Sequence, residues 1–229
     1  MTDVDVRPGT IVVYSDIGCP WAHLAVYRLL RAREALGLDG AVALDHRVFA
    51  LEVVNRRPTP KLILDAETVA VGTLDPGAGW QLWQQETYRY PVTTLPAMEA
   101  VQAAKEQGPV ASEQLDRGLR VAFFGQSRCI SVRSVILEVA ESCDGVDADA
   151  VAAALDDGRA RRAVMDQHQV GMTPAVNGSP HLFLPDGTDV HNPGIDMHWY
   201  GDKGRGFPIV TADDPSLYDD LLRRTLAAA

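Results

Sequence analysis

The sequence of 229 residues is poor in cysteine and has no excess of positive charge. Its three cysteines, Cys19, Cys129 and Cys143, have spacings that match neither a disulfide framework nor a zinc site. Thirty-one acidic residues against 21 basic ones give a net charge of −10, which repels phosphate backbones and anionic lipid. We therefore expect no metal, no nucleic-acid partner and no membrane partner.

Long apolar runs are missing as well. No uncharged stretch approaches the roughly 18 residues that a membrane-spanning helix needs. The first residues, MTDVDVRPGT, show no basic segment followed by an apolar one, which a secretory signal would require. We expect a cytoplasmic protein, in a compartment where thiols stay reduced.

The first third of the chain predicts a βαβ unit. The β-branched run TIVVYSD (10–16) predicts a strand. Pro20 then suits the first position of a helix, and apolar residues at helical spacing continue to Gly37. A second strand is expected in AVALDHRVFAL (41–51), parallel to the first.

The remainder divides into a helical block and a second β segment. Residues 59–170 predict helices, including one over QLWQQETYRY (81–90). In HLFLPDGTDVH (181–191) two short strands flank a turn, a Gly- and Pro-rich loop follows, and a helix ends the chain. We expect an α/β fold with a mixed four-stranded sheet, its halves formed by residues 1–58 and 171–229, with an all-helical insertion between them.

The cysteine at the start of the first helix is the candidate nucleophile. Cys19 lies where unpaired backbone N–H groups and the helix dipole favour a thiolate, so we expect a lowered pKa and fast alkylation. Pro20 shapes this helix end, and Trp21 is expected to be an exposed aromatic beside the sulfur. The structural alternative is a small residue tolerated at a helix cap.

The segment SDIGCPW (15–21) resembles the SDxxCPWC active-site segment of the DsbA-like thioredoxin superfamily, most closely the branch that contains FrnE-type dithiol oxidoreductases. The resemblance implies a thioredoxin-like fold with a helical domain inserted between its βαβ and ββα halves. It also implies that Asp16 matches the acidic position of the motif and assists proton transfer or positions the loop.

The family also has a cis-proline loop that faces the cysteine and aligns a thiol or disulfide substrate. GSPHLFLPDG (178–187) resembles this loop and nominates Ser179 and Pro180. The rival is Thr173 with Pro174; we prefer Pro180 because an apolar strand and a turn follow it.

The chain departs from the family at Ala22, where dithiol members have a second cysteine. Three functions follow from this difference. The first is a monothiol oxidoreductase with no tightly bound cofactor, using a small thiol of the glutathione or mycothiol type as co-substrate. The second is a kappa-type glutathione transferase or a 2-hydroxychromene-2-carboxylate isomerase, relatives with serine at this helix end and a bound thiol cofactor. The third is an inactive binding protein.

Several residues carry secondary hypotheses. His23 is assigned to substrate binding: as a cation it would lower the Cys19 pKa, whereas exposure on the helix surface is the alternative. Cys129 is a candidate to resolve Cys19, although a structural role is favoured, and Cys143 is interpreted as structural.

The loop GDKGRG (201–206) is either solvated or binds a carboxylate of a thiol cofactor. A homodimer is one of the states that the sequence leaves open.

Overall fold

The computed structural model describes residues 4–228, and its centre is a mixed four-stranded sheet of strand order β2-β1-β3-β4. The four strands are β1 (Thr10–Ser15), β2 (Ala43–Val48), β3 (His181–Phe183) and β4 (Asp189–His191). β1 pairs parallel with β2 and antiparallel with β3, and β3 pairs antiparallel with β4. The predicted thioredoxin-like α/β fold with a mixed four-stranded sheet is confirmed.

Helices connect and cover these strands. α1 (Pro20–Ala35) joins the two parallel strands. The segment between β2 and β3 contains α2 (Leu51–Val54), α3 (Lys61–Leu74), α4 (Leu95–Lys105), α5 (Pro109–Gln126), α6 (Arg133–Glu141), α7 (Ala148–Asp157) and α8 (Arg159–Gly171). The described chain ends with α9 (Leu217–Ala227). In the described residues no helix is long and apolar enough to cross a membrane.

The helix predicted over residues 81–90 is wrong. Residues 81–86 have no helical structure, and a single 3₁₀ turn at Thr87–Arg89 follows them. Backbone groups here are bonded to α5 and the residue after it: Gln81 N donates to Phe124 O at 2.9 Å and Gln84 N to the Ser127 hydroxyl at 2.9 Å. Tertiary partners therefore replace the bonds that a helix would have made.

The segment expected to be a Gly- and Pro-rich loop forms a second sheet. β5 (Ile195–Tyr200) and β6 (Phe207–Asp213) are an antiparallel hairpin, hereafter the second hairpin, inserted before α9. The apolar residues Ile195 and Met197 alternate with polar ones along β5, and this period of two was the signal in the sequence. The hairpin packs its apolar side chains against α1 and α3.

The sheet has a hydrophobic core on each face. α1 and α9 cover one face, where Val13, Leu29 and Leu222 belong to one buried cluster. On the other face Tyr14, Phe49 and Phe183 form a smaller cluster. A larger cluster joins the helices α4 to α8 to one another. Helix α3 packs on α1 and on β6, although the predicted boundaries assign it to the insertion.

The helical segment also completes the free edge of β2. Gln102 Nε2 donates to His46 O at 3.1 Å, and Val48 N donates to Gln167 Oε1 at 3.1 Å. Beyond the strand, Ala50 N donates to His168 Nδ1 at 3.2 Å. An edge strand with unpaired backbone groups invites pairing with another chain. Here side chains of α4 and α8 occupy those groups, so β2 is held against the helices.

Candidate active site

Cys19 caps the N-terminus of α1, at the point where the loop after β1 turns into the helix. Its backbone is extended, with φ −86° and ψ 119°, and Pro20 occupies the first helical position. Cys19 O accepts the first helical hydrogen bond from His23 N at 3.0 Å. The sulfur therefore lies at the end of the helix where backbone N–H groups point outward.

The loop that carries Pro180 faces this sulfur. Cys19 Sγ donates to Ser179 O across 3.3 Å, and the Ser179 hydroxyl accepts from Asp16 N at 2.9 Å. The Ser179–Pro180 peptide bond is cis, the one such bond in residues 4–228. The structure thus brings Cys19, Ser179 and Pro180 together, and it places the cis bond at Pro180 rather than at Pro174.

The Cys19 thiol is protonated at neutral pH, so the expected low pKa is wrong. The residue is 4% exposed, and burial raises the pKa of the thiol to about 11. The negative charge of Glu67 raises it further, and that of Asp16 adds a smaller effect. Hydrogen bonds from the Ser179 hydroxyl and the Ala22 backbone favour the thiolate, but they do not outweigh the burial.

The neighbours of Cys19 on α1 are buried as well. Trp21 is 7% exposed, so the expectation of an exposed aromatic platform is wrong. Ala22 is fully buried and belongs to the same apolar cluster as Cys19, Trp21 and Val71. Residues of the second hairpin, including Met197, pack against this cluster. The first turn of α1 is therefore covered by α3 and the second hairpin, neither of which the sequence placed there.

Asp16 holds the loop that leads to Cys19. Its carboxylate accepts from Gly18 N at 2.8 Å, from Leu51 N at 2.8 Å and from the Thr94 hydroxyl at 3.0 Å. Burial raises the pKa of this carboxyl, and the three hydrogen bonds act in the opposite direction. A side chain added at Gly18 would meet Thr94 at 2.9 Å, so the loop is tightly packed. Through these contacts Asp16 holds the loop before Cys19 in position.

Arg120 on α5 is a site residue that the sequence did not reveal. It is 1% exposed, and its guanidinium donates to Asp16 O at 3.2 Å and to the Ser15 hydroxyl at 2.9 Å. Asp116 pairs with it through Arg120 Nε at 2.6 Å. Because Asp16 and Ser15 are 104 and 105 positions away from Arg120 along the chain, only the fold brings them together. The helical segment thus fixes the carbonyl groups of the cysteine loop.

His23 lies on the side of α1 that faces the helices. Its Nε2 is 3.1 Å from Ala78 O, and its ring stacks on Phe124 with centroids 4.9 Å apart. Burial lowers the pKa of His23 to about 4, and the positive charge of Arg120 adds to the effect. Both the expected cation and the expected surface exposure are therefore wrong. The contacts found for His23 are structural; none involves the Cys19 sulfur.

Glu67 on α3 is a second residue that the sequence reasoning missed. It is 6% exposed, and Lys203 from the turn of the second hairpin lies 3.7 Å from its Oε1. Burial raises the pKa of Glu67, although Lys203 and a hydrogen bond from the Trp21 indole favour its charged form. The Lys203 ammonium is also 5.8 Å from the centre of the Trp199 ring. The loop at residues 201–206 is mostly exposed, as expected for a solvated loop, and Lys203 lies within ion-pair distance of the buried carboxyl group.

The other two cysteines are free thiols outside the cluster of Cys19. Cys143 is half-buried and its sulfur is 3.5 Å from Gln114 O, which fits the structural role expected for it. Cys129 is half-buried in the loop between α5 and α6, and the structural role favoured for it stays a prediction. Across residues 4–228 no group of three or more His, Cys, Asp or Glu is arranged to hold a metal ion.

The fold and the position of Cys19 define a thioredoxin-like protein. A family model for the DSBA-like thioredoxin domain matches residues 10–200, so the chain belongs to that family. This result confirms the superfamily that the SDIGCPW segment suggested. No curated protein is similar enough to count as a match.

Several solved structures share the fold. A probable DsbA oxidoreductase from Streptomyces coelicolor superimposes with a TM-score of 0.69 at 20% identity, covering 96% of this chain and 91% of that one. The cytosolic disulfide reductase DsbM from Pseudomonas aeruginosa gives 0.63 at 18% identity, with 96% and 100% covered. A 2-hydroxychromene-2-carboxylate isomerase gives 0.59 at 16% identity, with 79% and 87% covered. At these identities the likeness concerns the fold.

Proposed function

We propose that this protein is a cytoplasmic thiol–disulfide oxidoreductase that uses the single thiol of Cys19 and depends on a low-molecular-weight thiol. The observation that carries the proposal is the position of the Cys19 sulfur at the N-terminus of α1, 3.3 Å from Ser179 O. A disulfide bound along the Ser179–Pro180 loop would present its sulfur to Cys19. Two of the similar structures are described as a DsbA oxidoreductase and a cytosolic disulfide reductase, which supports this reaction class.

The absence of a second cysteine next to Cys19 sets the reaction sequence. Cys19 attacks a disulfide, forms a mixed disulfide and releases the first thiol. Because Ala22 offers no thiol, an external thiol must attack the mixed disulfide and regenerate Cys19. A DsbM structure is described with glutathione, so glutathione is one thiol to test beside mycothiol.

A second candidate function is favoured by the protonated state of Cys19. A neutral S–H at a helix N-terminus can donate a hydrogen bond to the thiolate of a bound cofactor, as a hydroxyl would. The isomerase among the similar structures makes a thiol-dependent transferase or isomerase the alternative to test. A binding protein without turnover is the third outcome.

The test combines mass spectrometry with turnover. We expect incubation with small-thiol disulfides to give one adduct, located on Cys19 by peptide mapping, and added thiol to remove it. Cys19→Ser should reduce turnover of the mixed disulfide at least 100-fold, because the nucleophile is lost. Cys143→Ser is the matched control and should retain turnover.

Other results would contradict the oxidoreductase. Full turnover in Cys19→Ser would favour the transferase or isomerase. Reversible ligand binding with no adduct and no turnover would favour the binding protein.

A further inference from the structure

The loop that faces Cys19 is closed by the side chain of the residue that follows it. Residues 176–180 belong to no helix or strand, and β3 begins at His181. Asn177 N donates a hydrogen bond of 3.0 Å to Nδ1 of the His181 ring, four positions further along the chain. Because this bond spans Ser179–Pro180, the imidazole ties the entrance of the loop to the strand at its exit.

The His181 ring is itself fixed from its other side. The residue is fully buried, and its Nε2 is 2.9 Å from Asp189 Oδ1 on β4. A backbone N–H can only donate, so Nδ1 carries no proton, and Nε2 carries the proton that the carboxylate accepts. Burial lowers the pKa of His181, although the bond to Asp189 acts in the opposite direction. The two bonds therefore assign a neutral imidazole in one tautomer, with both nitrogens engaged.

The position of the loop matters for the carbonyl group that faces the nucleophile. Behind Ser179, the exit of the loop is held by the sheet, since Pro180 O accepts from Asn192 N at 3.1 Å. Ahead of Ser179, the imidazole of His181 holds the entrance. Ser179 O lies between these two anchors and accepts from Cys19 Sγ at 3.3 Å. A shift at the entrance would therefore move the backbone that lies against the sulfur.

We propose that His181 is a positioning residue for disulfide exchange: its Nδ1 sets the loop that aligns the substrate disulfide with Cys19, and Asp189 holds the imidazole in the required tautomer. The inference rests on the proposed function. In the exchange, the Cys19 thiol loses its proton to solvent and Sγ bonds to one substrate sulfur. The other sulfur leaves with the electron pair of the broken S–S bond. Cys19 is oxidised to the mixed disulfide, the departing thiol is reduced, and His181 acts through Ser179.

Two amide substitutions separate the two hydrogen bonds of the ring. His181→Asn places an amide oxygen near the position of Nδ1 and keeps an acceptor for Asn177 N. His181→Gln places an amide nitrogen near the position of Nε2 and keeps a donor to Asp189. Each variant loses one bond of the pair, so we expect urea denaturation to show a lower stability for both. Stability alone would then not make one of them the slower enzyme.

The experiment measures two reactions of Cys19, located by intact mass and peptide mapping. Exchange with glutathione disulfide needs alignment, whereas iodoacetamide alkylation reports access and ionisation of the thiol. For His181→Gln we expect exchange to be slower by about ten-fold or more, with alkylation changed by less than about two-fold. His181→Asn should keep exchange within about three-fold of the wild type, because the loop keeps its acceptor. His198→Asn, at an exposed position on β5, is the matched control and should leave both rates unchanged.

Several outcomes would overturn the role of His181 alone. These are equal exchange rates in the two variants, a slower exchange in His181→Asn, or a parallel fall of exchange and alkylation in His181→Gln. If His181→Gln does not fold, Asp189→Ala takes its place, because it frees the ring from the carboxylate and should slow exchange without slowing alkylation. A wild-type protein that is alkylated at Cys19 but forms no adduct with glutathione disulfide or 2-hydroxyethyl disulfide would overturn the proposed function and this inference with it.

Discussion

The two sides of the first turn of α1 differ in how well their buried polar groups are hydrogen-bonded. On the side of α4 and α5, the polar groups are fully engaged: Asp16 accepts three hydrogen bonds, and Arg120 holds the backbone of the same loop. On the side of α3 and the second hairpin, Cys19 and Glu67 are buried without comparable partners. The first side gives the site its shape. The second side holds two groups whose charged forms are disfavoured by burial, which is where chemistry can occur.

The largest change in stability is expected when the hydrogen bonds of Asp16 are removed. Asp16→Ala leaves the donors of Gly18, Leu51 and Thr94 without their acceptor inside the protein, and each such loss costs about 1–3 kcal/mol. We expect the free energy of unfolding to fall by about 3 kcal/mol, measured by urea denaturation at pH 7.

The control for this variant is Asp39→Ala, which removes an exposed carboxylate paired with Arg33 at 3.1 Å. It should change the stability by less than about 1 kcal/mol. If Asp16→Ala lowers the free energy of unfolding by less than about 1 kcal/mol, water replaces the carboxylate as the hydrogen-bond acceptor. The two sides of the first turn would then not differ in how much their polar groups stabilise the fold.

An intermediate change in stability is expected at His23, which lies on the side of α1 that faces the helices. Its pKa of about 4 in the folded protein lies below the value of 6.5 for the free side chain, so the unfolded chain binds more protons between these values. Stability is therefore lost as the pH falls through this window, by about 2 kcal/mol between pH 7 and pH 5. His23→Phe should remove this part of the pH dependence while it keeps the stacking on Phe124.

The measurement is urea unfolding of the wild type and His23→Phe at both pH values, because other buried histidines contribute to the background. His198→Phe, at an exposed position on β5, is the matched control. An unchanged difference between pH 7 and pH 5 in His23→Phe would show that the ring takes up its proton without cost.

Local sequence signals were sufficient for the parts of the site that lie on one segment. A strand, a cysteine and a proline at the start of a helix predicted the position of Cys19. The apolar strand that follows Pro180 correctly favoured it over Pro174 as the cis-proline. These features depend on neighbouring residues, and for that reason a single sequence can reveal them.

The environment of the sulfur could not be predicted in the same way. The exposure of Trp21 and the pKa of Cys19 depend on α3 and on the second hairpin, which are about 50 and 180 positions further along the chain. Desolvation depends on everything that packs over a group, and residue spacing carries no direct record of that packing. The alternation along β5 was a usable signal for the hairpin, but not for the surface it covers.

The smallest change in stability is expected at Glu67, on the side of α3 and the second hairpin. Burial raises the pKa of Glu67, so a negative charge at this position destabilises the folded protein. Glu67→Gln removes the charge and keeps an oxygen that can accept from the Trp21 indole. We expect urea denaturation to show a free energy of unfolding equal to the wild type or higher by up to about 1 kcal/mol.

The control is Asp65→Asn on the same helix, which should lower the stability by less than about 0.5 kcal/mol, because it breaks a pair with Lys61 four positions earlier. The two substitutions remove the same charge from one helix, yet they should shift stability in opposite directions. A higher free energy of unfolding in Glu67→Gln would show that the buried acidic side chain is kept at the expense of stability. A clear loss of stability in Glu67→Gln would instead make Glu67 a structural partner of Lys203. The polar groups on both sides of the first turn of α1 would then stabilise the fold.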